Sequence, residues 1–389
     1  MRNIAIIGGG ASGIAAAITA AEAGARVTLF EAGKRIGHSI LVSGNGRCNW
    51  SNATVKAADY SNAGFVARAF DACPPQRVWD WFADLGLLWT EETAGRLYPQ
   101  ANKASSVLDA LRFRLEELGV VVACETPVAS VCPSGSRWVV NLQGGRTERF
   151  DAVLVACGGS IARSLLPDGY RFVKRAPRLC PIRTDRDSVK GLDGVRVKGE
   201  AALLRGPEIV AKQSGEIQFR SFGVSGIAIF DLSRFAQVGD TIRLDLLPDM
   251  SAPLIADNLI RRIKRFPDRS AEKQMAGMVL PVVAHAVLRQ AGLDPAEPLT
   301  TGRSVDVARR LKRFEVQVER FEEKSAQVSQ GGVAVDQVNP TTMESLRDAG
   351  LHVMGEALDV DGPCGGYNLH WAWTCGLLAG AAAAAGSAR

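Results

Sequence analysis

Ile4-Ala5-Ile6-Ile7-Gly8-Gly9-Gly10-Ala11-Ser12-Gly13, read on to Glu31, is the stretch that decides the fold. Four apolar residues in a row suit a strand buried on both faces of a parallel sheet. They open directly into glycines spaced G-x-G-x-x-G. Each glycine answers a steric demand. Gly8 permits the tight turn, Gly10 lets the backbone approach a pyrophosphate, and Gly13 lets the next helix pack close to the strand. Residues 11 to about 23 are nearly all small and predict a helix whose N-terminal N–H groups and partial positive charge face the phosphates. A second apolar strand, residues 25–30, ends on Glu31. A carboxylate about 20 residues after the glycines accepts hydrogen bonds from ribose hydroxyls and repels a 2′-phosphate. The glycine pattern alone does not decide. Strand, glycines, helix, strand and acid in that order predict a dinucleotide site rather than a plain glycine-rich turn.

A chain of 389 residues exceeds one ordinary domain, so two or three are expected. Its 47% hydrophobic and 22% charged residues are those of a soluble globular protein. The formal net charge of +5 is too modest for this length to argue for nucleic acid by itself. Eight cysteines show no C-x-x-C spacing and there are four histidines, so no metal site is expected. Reduced thiols in a cytoplasmic protein follow from that usage. The N-terminal apolar run is committed to the first strand and no small-residue cleavage site follows it, so it does not read as a secretory signal. Residues 376–386 are too short a run, and too rich in alanine, to span a bilayer, and read as a buried helix.

Along the chain, residues 32–52 read as a loop containing Ser43-Gly44-Asn45-Gly46-Arg47-Cys48-Asn49. Glycines, amides and one arginine cannot build a core, but they can wrap a polar ligand. Residues 75–85 and a helix capped by Ser105 or Ser106 present apolar faces, and Gly119 stops the second. Residues 120–124 read as a third buried strand, residues 128–150 as a meander, and residues 152–156 as a strand ending in Cys157-Gly158-Gly159. From about Pro177 short strand-like runs without intervening helices, residues 227–230 among them, predict a small antiparallel sheet or barrel. Residues 252–290 turn helical, with His285 expected in the core. Residues 313–321 alternate as a strand again. The chain then returns to glycine and acid in Gly355-Glu356-Ala357-Leu358-Asp359, with a last helix beginning near Asn368. No second full G-x-G-x-x-G with a following acid occurs, so one dinucleotide domain is split between the two ends of the chain.

The motifs Ser43 to Asn49, Gly355 to Gly362 and Gly365-Gly366-Tyr367-Asn368, after the N-terminal glycines, resemble the BaiN/RdsA-type flavoprotein family, also called aminoacetone-oxidase-like. The resemblance runs nearly end to end. It implies an α/β fold, a glutathione-reductase-type Rossmann FAD-binding domain interrupted by a β-barrel-like domain that carries a helical insertion. The corresponding ranges are 1–175 and 333–389 for the FAD-binding domain, 176–250 and 311–332 for the β-rich domain, and 251–310 for the insertion. It implies non-covalent FAD, with Gly8, Gly10 and Gly13 at the pyrophosphate, Glu31 at the adenosine ribose and the Val128 backbone at the adenine. Glu356 would bind the ribityl chain or pyrophosphate. Gly366, Tyr367 and Asn368 would lie at the isoalloxazine, with Arg47, Cys48 and Asn49 lining it from the long loop. Further cofactor contacts are expected at Ala11, Ser12, Ala32, Lys34, Gly46, Gly158, Gly355 and Leu369. Two departures stand out. His38-Ser39 replaces the basic pair usual in relatives, and Arg220 and Ile227 stand where relatives usually have threonine and proline.

The expected function is that of an FAD-dependent oxidoreductase passing hydride through flavin N5. NADH or NADPH is the expected transient electron donor, and the substrate an activated C=C or related small apolar molecule. A flavin-dependent amine or alcohol oxidase using O2 is the alternative. An RNA-associated or non-catalytic flavoprotein is the alternative from another class. Nucleic acid and membrane are not expected partners, since the runs at residues 261–265 and 309–313 read as solvated helix faces. No catalytic acid or base, and no oligomeric state, is legible.

Overall fold

The opening stretch folds as β1 (Asn3–Ile7), α1 (Ala11–Glu22) and β2 (Arg26–Phe30). Ile4 to Ile7 are all buried because β1 pairs in parallel with β2 on one side and with Ala152–Val155 on the other. Leu351–Val353 lies beyond Ala152–Val155, and Val121–Ala123 beyond β2. Among the described residues of this computed structural model, which are 1–386, the sheet has five strands. Both ends of the chain thus build one Rossmann-type parallel sheet.

The closing helix, Tyr367–Ala385, packs on α1 through small residues. A Cβ on Gly376 would stand 2.6 Å from the Ser12 carbonyl oxygen, and one on Gly380 2.5 Å from that of Ala16. Helices lacking side chains at the crossing approach more closely than those lined with leucine.

Local departures from the sequence reading have physical causes. Val121–Ala123 is an edge strand, so Val121 is 55% exposed rather than buried. The loop at residues 32–52 contains a helical turn, His38–Val42, and Ser51–Asn52 pairs with Arg96–Pro99. The helix expected at Ser105 or Ser106 begins at Ala104 with no side-chain cap, and Ser106 Oγ donates to the Lys103 carbonyl instead. The meander forms as Val128–Ser134, Arg137–Leu142 and Thr147–Phe150.

The chain divides into two units, residues 1–176 with 328–389, and residues 177–327. In the second, Ile182–Thr184, Gly223–Ser225, Glu208–Arg220, Arg196–Arg205, Thr241–Asp245 and Phe314–Phe321 close an antiparallel barrel. Phe219 and Phe314 meet edge to face in its core, 5.9 Å apart. Residues 227–230 are not a strand but the start of a helix, Ile227–Ser233, whose buried Ala228, Ile229 and Leu232 follow a helical rather than alternating spacing. Ala252–Arg265, Ala271–Met275, Pro281–Gln290 and Ser304–Lys312 make the helical part of this unit. His285 is not a core residue, since its side chain is 49% exposed, with Nε2 2.9 Å from Glu272 Oε2.

Candidate functional site

The ends of β1, β2, Ala152–Val155 and Leu351–Val353 bring Gly8, Glu31, Gly158 and Gly355 to one edge of the sheet. Gly8 has φ of 109°, and an added Cβ would meet the Ala156 carbonyl oxygen at 2.6 Å. A Cβ on Gly13 would overlap the Gly8 carbonyl oxygen, so α1 rests on the turn itself. Gly10 differs, because a Cβ there would come no closer than 3.6 Å to any described atom, Ser39 Oγ. The turn is therefore open at the one glycine expected to admit a ligand. α1 starts there with no side-chain cap and no acid in its first turn. The leading N–H groups, including those of Ala11 and Ser12, have no partners within the helix and favour an anion.

Glu31 is fixed across this turn. Its Oε2 accepts from Gly9 N–H at 2.7 Å and its Oε1 from Gly33 N–H at 2.6 Å, which leaves further lone pairs for hydroxyl donors. Ala32 and Lys34 lie exposed beside it. Thr126 N–H donates to the Glu31 carbonyl at 2.9 Å, which brings the start of the meander and buried Val128 to the same edge.

Around Glu356 the site turns acidic and basic together. Its Oε1 accepts from Ser329 N–H at 3.0 Å, and Arg175 Nη2 lies 3.9 Å away. Desolvation by the surrounding atoms raises the pKa of this carboxyl, although its side chain is 43% exposed, while the Ser329 N–H and the Arg175 charge pull the other way. Gly158 leaves open space, with Glu356 Oε2 at 3.9 Å as the nearest atom to an added Cβ. Gly355 packs against Ser12, tying this corner to α1. Arg175 was not singled out from sequence; an arginine beside Lys174 on a short strand carries no signal there.

The long loop and the closing helix meet at the remaining edge. Gly366, with φ of 100°, lies where a Cβ would overlap the Ser51 carbonyl oxygen. Asn52 Nδ2 donates to the Gly365 and Ala94 carbonyls at 2.9 Å each. Tyr60 O–H donates to the Tyr367 carbonyl at 2.8 Å, and Tyr367 O–H lies 3.2 Å from Thr54 Oγ1. Asn368 folds its amide back on Gly362, accepting from its N–H at 2.8 Å and donating to its carbonyl at 2.9 Å. Leu369 is half-buried in the same turn.

Arg47, beside half-buried Gly46, pairs with Glu92, donates to Asn102 and stacks on Tyr98 at 4.0 Å. The bond to Glu92 raises its pKa further. Cys48 is fully buried, and burial pushes its thiol up to about 12, so it is not a ready nucleophile. Asn49 is 7% exposed, and its amide oxygen has no partner among the described residues. Among those residues no histidine, cysteine and carboxylate cluster could hold a metal ion, and no helix is long and apolar enough to cross a membrane.

A family model described as the HI0933-like protein Rossmann domain matches residues 2–382. The chain is 33% identical to the 3-dehydro-bile acid delta(4,6)-reductase of Clostridium scindens, over 99% of both chains. It is 29% identical to the ribosomal RNA dihydrouridine synthase of Escherichia coli, over 95% of this chain and 94% of that one. Among solved structures, the 3-ketosteroid delta1-dehydrogenase of Sterolibacterium denitrificans shares the fold at 14% identity, with a TM-score of 0.52 over 99% of this chain and 100% of that one.

Proposed function

The chain belongs to the HI0933-like protein Rossmann domain family and is an FAD-dependent oxidoreductase, and on that premise we propose that it reduces a C=C bond conjugated to a carbonyl in a small apolar substrate. NADH or NADPH is the proposed electron donor. The observation that carries this reading is the end-to-end similarity to a protein named as a delta(4,6)-reductase.

The residues present fit FAD. The open turn at Gly10, the uncapped start of α1 and the unpartnered Asn49 amide oxygen offer, in order, space, donors and an acceptor. Gly8, Gly10, Ala11, Ser12 and Gly13 would hold the diphosphate, Glu31 with Ala32 and Lys34 the adenosine ribose, and Val128 the adenine. Gly158, Gly355 and Glu356 would hold the ribityl side. Gly46, Arg47, Cys48, Asn49, Gly366, Tyr367, Asn368 and Leu369 would bound the ring without a covalent link. Bound FAD supplies the hydride chemistry; the protein supplies position and field. The closing helix starts without an acid in its first turn, so its dipole favours negative charge at that end.

Anaerobic mixing with NADH and with NADPH tests the donor, and a conjugated enone added next tests the acceptor. Bleaching of the flavin band by either dinucleotide, then recovery with the enone, is the expected result. Bleaching by neither, with reduction by an amine or alcohol, would transfer the protein to the oxidase class. Protein that stays colourless with added FAD ends the reading.

A second reading follows from the relative named as a ribosomal RNA dihydrouridine synthase, since that product also requires hydrogen added across a ring C=C. Ala252–Arg265 and Ser304–Lys312 both end in basic turns, although Arg309 pairs with Asp306 and Lys312 with Asp245. RNA binding that weakens steeply with salt would favour it.

A further inference from the structure

Beneath the first turn of the closing helix, Ser51 Oγ accepts from Trp79 Nε1 at 2.8 Å and lies 2.9 Å from His370 Nδ1. The indole N–H can only donate and no other acceptor for the Ser51 hydroxyl hydrogen stands among the described residues, so that hydrogen is assigned to Nδ1 and the imidazole proton to Nε2. His370 is fully buried, edge to face with Phe70 and Trp79 at 5.7 and 6.3 Å. Its Nε2 has no hydrogen-bond partner among the described residues. A leucine would fill the same space without burying an unpaired N–H, which is costly in an apolar surround. The one hydrogen bond the imidazole makes among the described residues is therefore at Nδ1, with the Ser51 hydroxyl.

Ser51 is the centre of a short segment tied to the closing helix at successive residues. Trp373 Nε1 donates to the Trp50 carbonyl at 2.9 Å, Gly366 covers the Ser51 carbonyl, and Asn52 reaches the Gly365 carbonyl. Two residues before Ser51 stands Asn49, with its buried, unpartnered amide oxygen. We propose that the Trp79–Ser51–His370 relay is a positioning device that holds residues 49–52 in register with the start of the closing helix, so that the Asn49 amide faces an N–H or O–H donor of the bound cofactor. His370, Trp79 and Ser51 are positioning residues in this scheme. The inference rests on the FAD reading above.

The test compares apoprotein of wild type, His370→Leu, Trp79→Phe and His370→Gln by FAD titration, by the visible spectrum of the bound flavin and by thermal melting. His370→Leu removes the acceptor, Trp79→Phe removes the donor, and His370→Gln keeps an acceptor oxygen near Ser51. Loss of the relay should weaken FAD binding about tenfold and shift the flavin band in the first two variants, with His370→Gln within about twofold of wild type. Unchanged affinity and spectrum in Trp79→Phe and His370→Leu, even with lowered melting temperatures, would overturn the proposal. So would His370→Gln failing as badly as His370→Leu. Should His370→Leu not fold, half-buried Trp79 decides alone, since phenylalanine retains most of its packing. Wild type that takes up no FAD would instead sink the functional reading and this inference together.

Discussion

His370 is buried without any charged side chain acting on it, and desolvation alone pulls its pKa down to about 3 from the ordinary 6.5. The unfolded chain therefore binds a proton as pH falls through 6.5, while the folded chain does not until about 3. Stability is full above 6.5 and declines below it, by about 2 kcal/mol at pH 5 if this group acts alone. Urea midpoints of apoprotein at pH 7 and pH 5 should drop less in His370→Gln than in wild type. Parallel drops would show that other groups set the acid limb. Glu31 permits a different prediction, because both carboxylate oxygens are engaged by backbone N–H groups, of Gly9 in the glycine turn and of Gly33. Glu31→Gln leaves one acceptor oxygen for two donors, so FAD affinity should fall about tenfold, with about 1 kcal/mol of stability lost. A fluorescence titration that overlays wild type would remove Glu31 from the cofactor's surroundings. That Glu31 reaches the glycine turn was legible because its signal is local, an acid at a fixed distance from three glycines. The directions of the Arg47 and Asn368 side chains were not, since residue type says nothing about Glu92 or Gly362 waiting nearby.

At the scale of elements, the contact between α1 and the closing helix is the most exacting. A Cβ at Gly376 would stand 2.6 Å from both the Ser12 carbonyl oxygen and the Ala15 Cβ, and neither neighbour can swing away as a long side chain could. Gly376→Ala should cost about 1–3 kcal/mol through forced separation of the helices. It should also loosen FAD, because Ser12 lies in the first turn of α1, which is proposed to hold the diphosphate. Chemical denaturation of apoprotein checks the first effect and FAD titration the second. Stability within about 0.5 kcal/mol of wild type would show that the helices slide apart freely. The alanine run was readable as a buried helix, but its partner was not, for small residues at both faces give no periodic stripe to match. The helix Ile227–Ser233 was missed for a related reason, since four apolar residues in a row fit a buried strand and a short buried helix equally well.

For the whole molecule, what the sequence carried best was the division of one sheet between the chain ends, because the glycine and acid motifs recur near residues 8–31 and 355–362. The barrel was expected, but its strand order was beyond the sequence, since strand pairing is set by contacts far apart in the chain, not by local pattern. We propose that residues 177–327 fold as an insertion that the FAD-binding part does not need for its own core. Strands Phe172–Arg178 and Val328–Val333 pair with each other where that segment leaves and re-enters, so a short link can join their ends. The two hydrophobic clusters share no residue, one being built of residues 4–170 and 333–383 and the other of residues 182–318. Replacing 177–327 with a flexible linker should therefore leave a cooperative melt and FAD binding within about tenfold of the full chain. Loss of enone reduction in the same preparation would assign substrate binding to residues 177–327. Measuring both properties on one preparation separates the cases. Retained FAD with lost turnover supports two units with divided roles, whereas a deletion that neither melts cooperatively nor binds FAD would mean that the sheet depends on the barrel for its own stability.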